Sequence, residues 1–230
     1  MKIIMQPWGL GDVIFSMSAV RSLNDDIIWP VMPYYVKQLS DAYPDMTFID
    51  WRLLNIDYNR KDRYELHGYD VIPLRWQDSP LVDCMKKKYA YFNLDWHDWK
   101  YDVEWLRDYN KEEFLFQLLH LVEGERYNLI STKFGNDSIN NKPSPHSMIF
   151  KEPDNGLINI HMTMIEGFSL FDWAKVIERA ERIDFVSSSL LYLVELLELE
   201  AKEIHIYPRL PFEKNLACVD YIFSKNYTIH

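Results

Sequence analysis

An α/β fold in two domains that face a cleft is the architecture this 230-residue sequence predicts, and three observations predict it. A short apolar run at the start breaks at the turn Trp8-Gly9-Leu10-Gly11-Asp12, and a segment of helical periodicity follows. The same alternation of strand-like and helix-like segments restarts beyond residue 124. Glycine occurs only seven times, well below its usual share of roughly 7%, yet Gly9 and Gly11 flank a single residue, as they would where the backbone must turn sharply.

Each element follows in order. Residues 2–5 are apolar and fit a buried strand. Val13, Ile14, Met17, Val20 and Leu23 then recur at helical spacing until Asn24-Asp25-Asp26 closes the segment. Ile27-Ile28-Trp29 reads as a second strand, so the chain opens as strand, turn, helix, strand, the start of a parallel sheet with right-handed crossovers. A helix over 34–42 and strands over 46–49 and 70–74 continue the pattern before Gln77-Asp78-Ser79-Pro80. From 89 to 109 the sequence packs aromatics between carboxylates. A helix over 112–123 comes next, with Phe114, Leu115, Leu118, Leu119 and Val122 on one side and Gly124 as its C′ residue. The domain boundary is placed there, giving domains 1–123 and 124–230.

The second domain reads as a strand over 127–131, a polar loop over 136–145, and a strand over 157–162. A helix over 170–180, a strand over 183–186, a helix over 189–197 and a strand over 204–207 follow, and Pro208 ends the last strand. The tail, with an apolar stretch over 218–223, is expected to pack back on the first domain. In such folds ligands bind beyond the carboxyl ends of the strands, so the cleft is where chemistry is expected.

Composition narrows the function. The 25 basic and 35 acidic residues give a net charge of −10, which argues against nucleic acid as the main partner, because such affinity comes from neutralising phosphates. No apolar run approaches the roughly 20 residues of a membrane-spanning helix. The first residues carry Pro7 and Asp12 where an export signal would still be apolar, so a cytoplasmic protein is expected. Cys84 and Cys218 form neither a disulfide framework nor a zinc-ligand spacing, in keeping with a reducing compartment.

Several residue groups can carry chemistry. The amides around Gly9 and Gly11, at the positive end of a helix, can hold an anion or a polar ligand group, with Asp12 at the rim. The same residues also suit a plain turn with Asp12 as the helix N-cap. A dinucleotide fingerprint is disfavoured because Ile14 stands where the third glycine would fall, and the Walker lysine is missing. Asp184-Phe185-Val186 runs into Ser187-Ser188-Ser189 and then a helix. Hydroxyls and free amides there can bind phosphate without a cation, or one serine simply caps the helix while the others solvate the turn. Glu166 and Gly167 join a strand to a helix, where the carboxylate suits sugar hydroxyls and the glycine allows close approach; a loop glycine with a first-turn acid is the plainer reading. His161 ends a strand and is either a donor contact or a core histidine. Lys86-Lys87-Lys88 is either solvated charge or a draw for an anionic acceptor. The aromatics from Tyr89 to Trp105 are either platforms for sugar rings or large residues pinning an irregular segment. Asp95-x-His97-Asp98 is the nearest approach to a metal motif and reads as surface or hydrogen-bonded groups. No metal and no cofactor is expected.

Taken together, KIIMQPWGLGDVIFSMSAVRSL resembles the opening of the lipopolysaccharide heptosyltransferases and related ADP-sugar enzymes, in which a first strand leads to a short turn, Gly-Asp-Val/Ile and a helix ending in Arg-x-Leu. The stretch GFSLFDWAKVIERAERIDFVSSSLLYLVELL resembles the donor-binding half of GT-B glycosyltransferases. The resemblance implies two Rossmann-like domains in a compact GT-B arrangement. It further implies transfer of a sugar from a nucleotide diphosphate sugar, as co-substrate, to a hydroxyl acceptor, without metal and with inversion. By the same resemblance Asp12 is the general base, Gly11 lets the acceptor approach, the Ser187, Ser188 and Ser189 turn holds the diphosphate, and Lys133 is a cation for the same phosphates. The chain departs from the family in its short length and in having Ser188-Ser189 where a Gly-Thr pair is frequent. A non-catalytic nucleotide- or sugar-binding module is the alternative, and an S-adenosylmethionine methyltransferase a more distant one.

Overall fold

The computed structural model describes residues 1–6, 9–54, 69–74, 81–132, 150–208 and 219–230. The chain divides into two compact units, Met1–Leu106 and Arg107–His230, and each holds its own parallel sheet.

The first unit runs β1 (Lys2–Met5), α1 (Leu10–Arg21), β2 (Ile27–Val31), α2 (Pro33–Ala42), β3 (Thr47–Asp50), β4 (Asp70–Pro73) and α3 (Leu81–Ala90). The strand order is β3-β2-β1-β4, all parallel, with Ile3 opposite both Ile28 and Val71. Ile3, Ile4 and Met5 are all buried, as expected of a parallel strand covered on both faces. α1 is buried almost all round, from Leu10 to Val20. At its end Arg21 grips Asp45 through two bonds of 3.0 and 2.9 Å and donates to the carbonyls of Asp102 at 2.7 Å and Glu104 at 3.2 Å. The Arg of the Arg-x-Leu motif thereby straps the aromatic-rich segment onto α1.

That segment is mainly a packing device. The Tyr89 hydroxyl donates to the Phe15 carbonyl at 2.7 Å, and Tyr89 and Trp99 close on the Phe15 ring at 5.1 and 5.4 Å between centroids. Tyr89, Trp99 and Val103 are buried, whereas Tyr91 and Tyr101 are exposed.

The second unit runs α4 (Tyr109–Leu118), β5 (Tyr127–Ser131), β6 (Ile158–His161), a 3₁₀ turn (Phe171–Trp173) leading into α5 (Ala174–Arg179), β7 (Arg182–Val186), α6 (Leu190–Leu196), β8 (Glu203–Tyr207), α7 (Val219–Ile222) and β9 (Thr228–Ile229). Its five parallel strands lie in the order β6-β5-β7-β8-β9. β5 is buried at every residue. The loop expected over 136–145 lies outside the described residues.

Four features differ from the sequence expectation. The helix predicted over 112–123 spans 109–118 and belongs to the second unit, where Arg107 bridges Glu112 at 2.8 Å and Glu178 at 2.6 and 2.8 Å, and Lys111 meets Asp172 at 2.7 Å. Its C′ residue is His120 at φ 60, not Gly124. Leu121 N–H donates to the Phe116 carbonyl and His120 N–H to that of Gln117, and buried Phe116 and Leu121 close the helix end. The helix is also rotated from the expected face. Glu112, Leu115 and Phe116 point inward, because the Arg107 network satisfies the buried carboxylate, while Phe114, Leu118 and Val122 are exposed. Lastly, the described part of the tail adds β9 beside β8 in the second sheet, with Thr228 opposite His205. The buried Glu195 carboxylate holds it, accepting from Ser224 N–H at 2.7 Å, the Ser224 hydroxyl at 2.6 Å and the Tyr227 hydroxyl at 2.8 Å. Cys218 lies outside the described residues.

Candidate functional site

The chain enters α1 through Gly9, whose φ of 76 and ψ of 101 form the N-cap conformation and are open only to a residue without Cβ. Asp12 is therefore the third residue of the helix and not its cap. A carboxylate there suits the positive end of the helix. Its Oδ2 lies 2.5 Å from where a Cβ on Gly9 would stand, so a side chain at Gly9 would displace the Asp12 carboxylate from this position. Its Oδ1 accepts a hydrogen bond from Lys88 Nζ of α3. The Asp12 side chain is 37% exposed and that of Lys88 only 2%, so an ammonium hidden from solvent sits behind a carboxylate that solvent reaches. Gly11, inside the helix, is buried.

On the α2 side, Tyr34 and Tyr35 meet edge to face at 4.4 Å. Burial, with the neighbouring Tyr34 and the Asp12 charge adding to it, pushes the Tyr35 phenol well above its ordinary range, although the Leu10 backbone opposes the shift. Tyr35 thus stays a neutral hydrogen-bonding group near the helix start.

Topology gives this turn its meaning. In the first sheet β2 and β3 lie on one side of β1 and β4 on the other, so the strand order reverses beside β1, and the Gly9–Asp12 turn leaves the carboxyl end of that strand. In the second sheet the order reverses beside β5, between β6 and β7. Ser131 ends β5 and Ser187 follows the end of β7. Both turns thus border a switch point, where open α/β sheets bind ligands.

At the second turn the three serines differ. Ser187 is buried and its amide donates to the Tyr207 carbonyl at 2.8 Å. The Ser188 hydroxyl accepts from Leu190 N–H at 3.3 Å, a local cap, and Ser189 occupies the N-cap position without a side-chain cap bond. His161 closes the edge strand β6, is exposed, and lies 3.4 Å from Glu152. Glu166 and Gly167 sit in the exposed turn that follows, where Gly167 has φ 86 and Phe168 N–H donates to the Ile165 carbonyl. Lys133 lies outside the described residues. Thus Asp12 lies against Gly9, and His161 and Ser187 share the carboxyl edge of the second sheet.

Lys88 is the residue that reading the sequence misses, since Lys86-Lys87-Lys88 suggests solvated charge. The signal was its spacing: Lys88 falls between Met85 and Tyr89 on a helical stripe, and both neighbours are buried. Lys86 is exposed. His97 Nδ1 lies 2.6 Å from Asp95 Oδ1, which also accepts the His97 amide at 3.0 Å as the cap of a short exposed turn. Among the described residues no group of three or more His, Cys, Asp or Glu side chains is placed to hold a metal ion, and no helix is long and apolar enough to cross a membrane.

Comparison with protein-family models and with curated proteins finds no match. Among solved structures, the bacterial iron-containing dodecameric glycosyltransferase TibC from enterotoxigenic E. coli H10407 is similar, at 10% sequence identity and a TM-score of 0.49, over 90% of this chain and 57% of that one. The chain thus spans little more than half the length of that protein.

Proposed function

We propose that the protein is a GT-B type glycosyltransferase that moves a sugar from a nucleotide diphosphate sugar to a hydroxyl acceptor, with inversion and without a metal. The observation that supports this reading is the coincidence of two turns with two switch points. The turn bearing a solvent-reached carboxylate leaves β1, and the serine turn leaves β7. Asp12 serves as the base. As the acceptor oxygen bonds to the anomeric carbon, its proton passes to the Asp12 carboxylate. The bond from that carbon to the diphosphate oxygen breaks, and its electron pair leaves with the nucleoside diphosphate. Hydroxyls and amides of Ser188 and Ser189, fixed at the start of α6, stabilise the charge that grows there.

Thermal denaturation with UDP, GDP, ADP or S-adenosylmethionine tests the donor side, because a ligand that binds only the folded state raises the melting temperature. One nucleoside diphosphate is expected to do so, and the Ser187/Ser188/Ser189 triple alanine variant to lose the effect. A shift with S-adenosylmethionine alone would replace the reading by a methyltransferase. Binding of a diphosphate without release of product from any nucleotide sugar would leave a binding module.

A further inference from the structure

We propose that Lys88 is the positioning residue of this site, fixing which oxygen of Asp12 takes the acceptor proton. The inference rests on the transferase reading above and names a part of the machinery that reading does not contain. A buried ammonium must be paired, and the Lys88 side chain, 2% exposed, is paired with Asp12 Oδ1. The pairing is not a loose surface contact. The next residue, Tyr89, ties α3 to α1 through its bond to the Phe15 carbonyl and its edge contact with the Phe15 ring. The backbone at Lys88 is therefore anchored through its neighbour Tyr89, and the buried ammonium is held against Asp12 Oδ1.

The consequence falls on the other oxygen. With Oδ1 engaged, the carboxylate cannot rotate freely, and Oδ2 is held over Gly9, the exposed residue of the turn that has no side chain. The acceptor hydroxyl thus reaches the base across Gly9, and its proton goes to Oδ2. Lys88 never touches the acceptor, since it is closed off from solvent. It acts through Asp12, by orientation, and orientation errors of about 1 Å cost about a hundredfold in rate.

The test compares the full chain with Lys88→Met, which keeps the length and removes the charge, and with Lys88→Arg, which keeps a donor; Lys88→Gln stands in for Met if that variant does not fold. Turnover is read as nucleoside diphosphate released from UDP-, GDP- and ADP-sugars. In parallel, Asp12 is amidated with a water-soluble carbodiimide and glycinamide, and the modified fraction is read by mass spectrometry. The expected result is a folded Lys88→Met with kcat down about a hundredfold, donor KM within about twofold of the unsubstituted chain, and partial recovery in Lys88→Arg. Asp12 labelling should rise several-fold in Lys88→Met as the carboxylate is released. A purely structural lysine would lower the melting temperature and leave kcat per folded molecule unchanged, and that outcome overturns the proposal. Should the unsubstituted chain release nothing from any donor, the transferase reading falls and the labelling decides alone: no change on removing Lys88 overturns its hold on Asp12, and a rise upholds it.

Discussion

Replacing Asp12 with Asn keeps the shape of the side chain but takes away the charge against which Lys88 is buried, so that substitution alone confounds chemistry with folding. Breaking a buried pair from one side leaves an uncompensated charge in a poor solvent, at a cost of about 3 kcal/mol. Losing Lys88 instead leaves a carboxylate that water still reaches, and the cost is smaller, about 1 kcal/mol. The double variant Asp12→Asn/Lys88→Met buries no charge and should fall within about 1 kcal/mol of the unsubstituted protein. Urea unfolding of the four proteins measures this cycle; an Asp12→Asn midpoint equal to the starting one would mean that Lys88 finds other solvation. Gly9→Ala is the complementary test. Its Cβ would meet Asp12 Oδ2 at 2.5 Å in a backbone conformation closed to alanine, so a loss of about 2 kcal/mol or more is expected. Wild-type stability in that variant would show that the turn re-forms in another conformation.

At the scale of elements, the amino edge of the second sheet is tied by charge. Glu181, just before β7, accepts from Arg126 before β5 and from Lys202 before β8, the latter at 3.1 Å, and its amide donates to the Tyr127 carbonyl at 3.0 Å. The hydrogen bonds from Arg126 and then from Lys202 hold its carboxyl down at about 2, against the partial desolvation that would raise it. The folded value lies below the unfolded one of about 4.3. The stabilisation is therefore complete above that unfolded value and is lost as the pH falls from there toward about 2. Glu181→Gln should flatten the dependence of unfolding free energy on pH in that window and leave it unchanged near neutrality; an unaltered acid limb would place the acid-sensitive groups elsewhere. The elements themselves were legible to different degrees. Residues 2–5 and 127–131 were read to the residue, because inner parallel strands are short apolar runs closed by polar or turn residues. α4 was misplaced because its buried side contains Glu112, which the Arg107 and Glu178 contacts make acceptable and which no apolar pattern announces.

For the molecule as a whole, the repeated strand and helix grammar revealed two parallel-sheet units, whereas the bridge from Arg107 to Glu178 joins residues 71 positions apart and has no local signature. The same limit hid Lys88, 76 positions from Asp12: a charged residue reads as solvated until the fold shows what lies against it. Gly9 and Asp12 were legible because the turn chemistry is local. Tyrosine is the residue through which both cores can be read in one experiment. Burial first of all pushes up the phenols of Tyr35, Tyr43 and Tyr89 in the first unit and of Tyr127 and Tyr227 in the second, and it takes Tyr207 to about 12. The unfolded phenol ionises near 10. Below that value both states keep the proton and the stability is intact; above it the unfolded chain ionises first, so stability falls as pH rises. Tyrosinate absorbance followed through an alkaline titration should therefore gain a late step that coincides with loss of the far-ultraviolet circular dichroism signal. The apolar replacement Tyr89→Phe gives up one buried bond to the Phe15 carbonyl and should remove one phenol from that step. Complete ionisation with the dichroism intact would show that these hydroxyls are open to solvent, and the packing of Tyr89 on α1, on which the orientation of Lys88 depends, would fall with it.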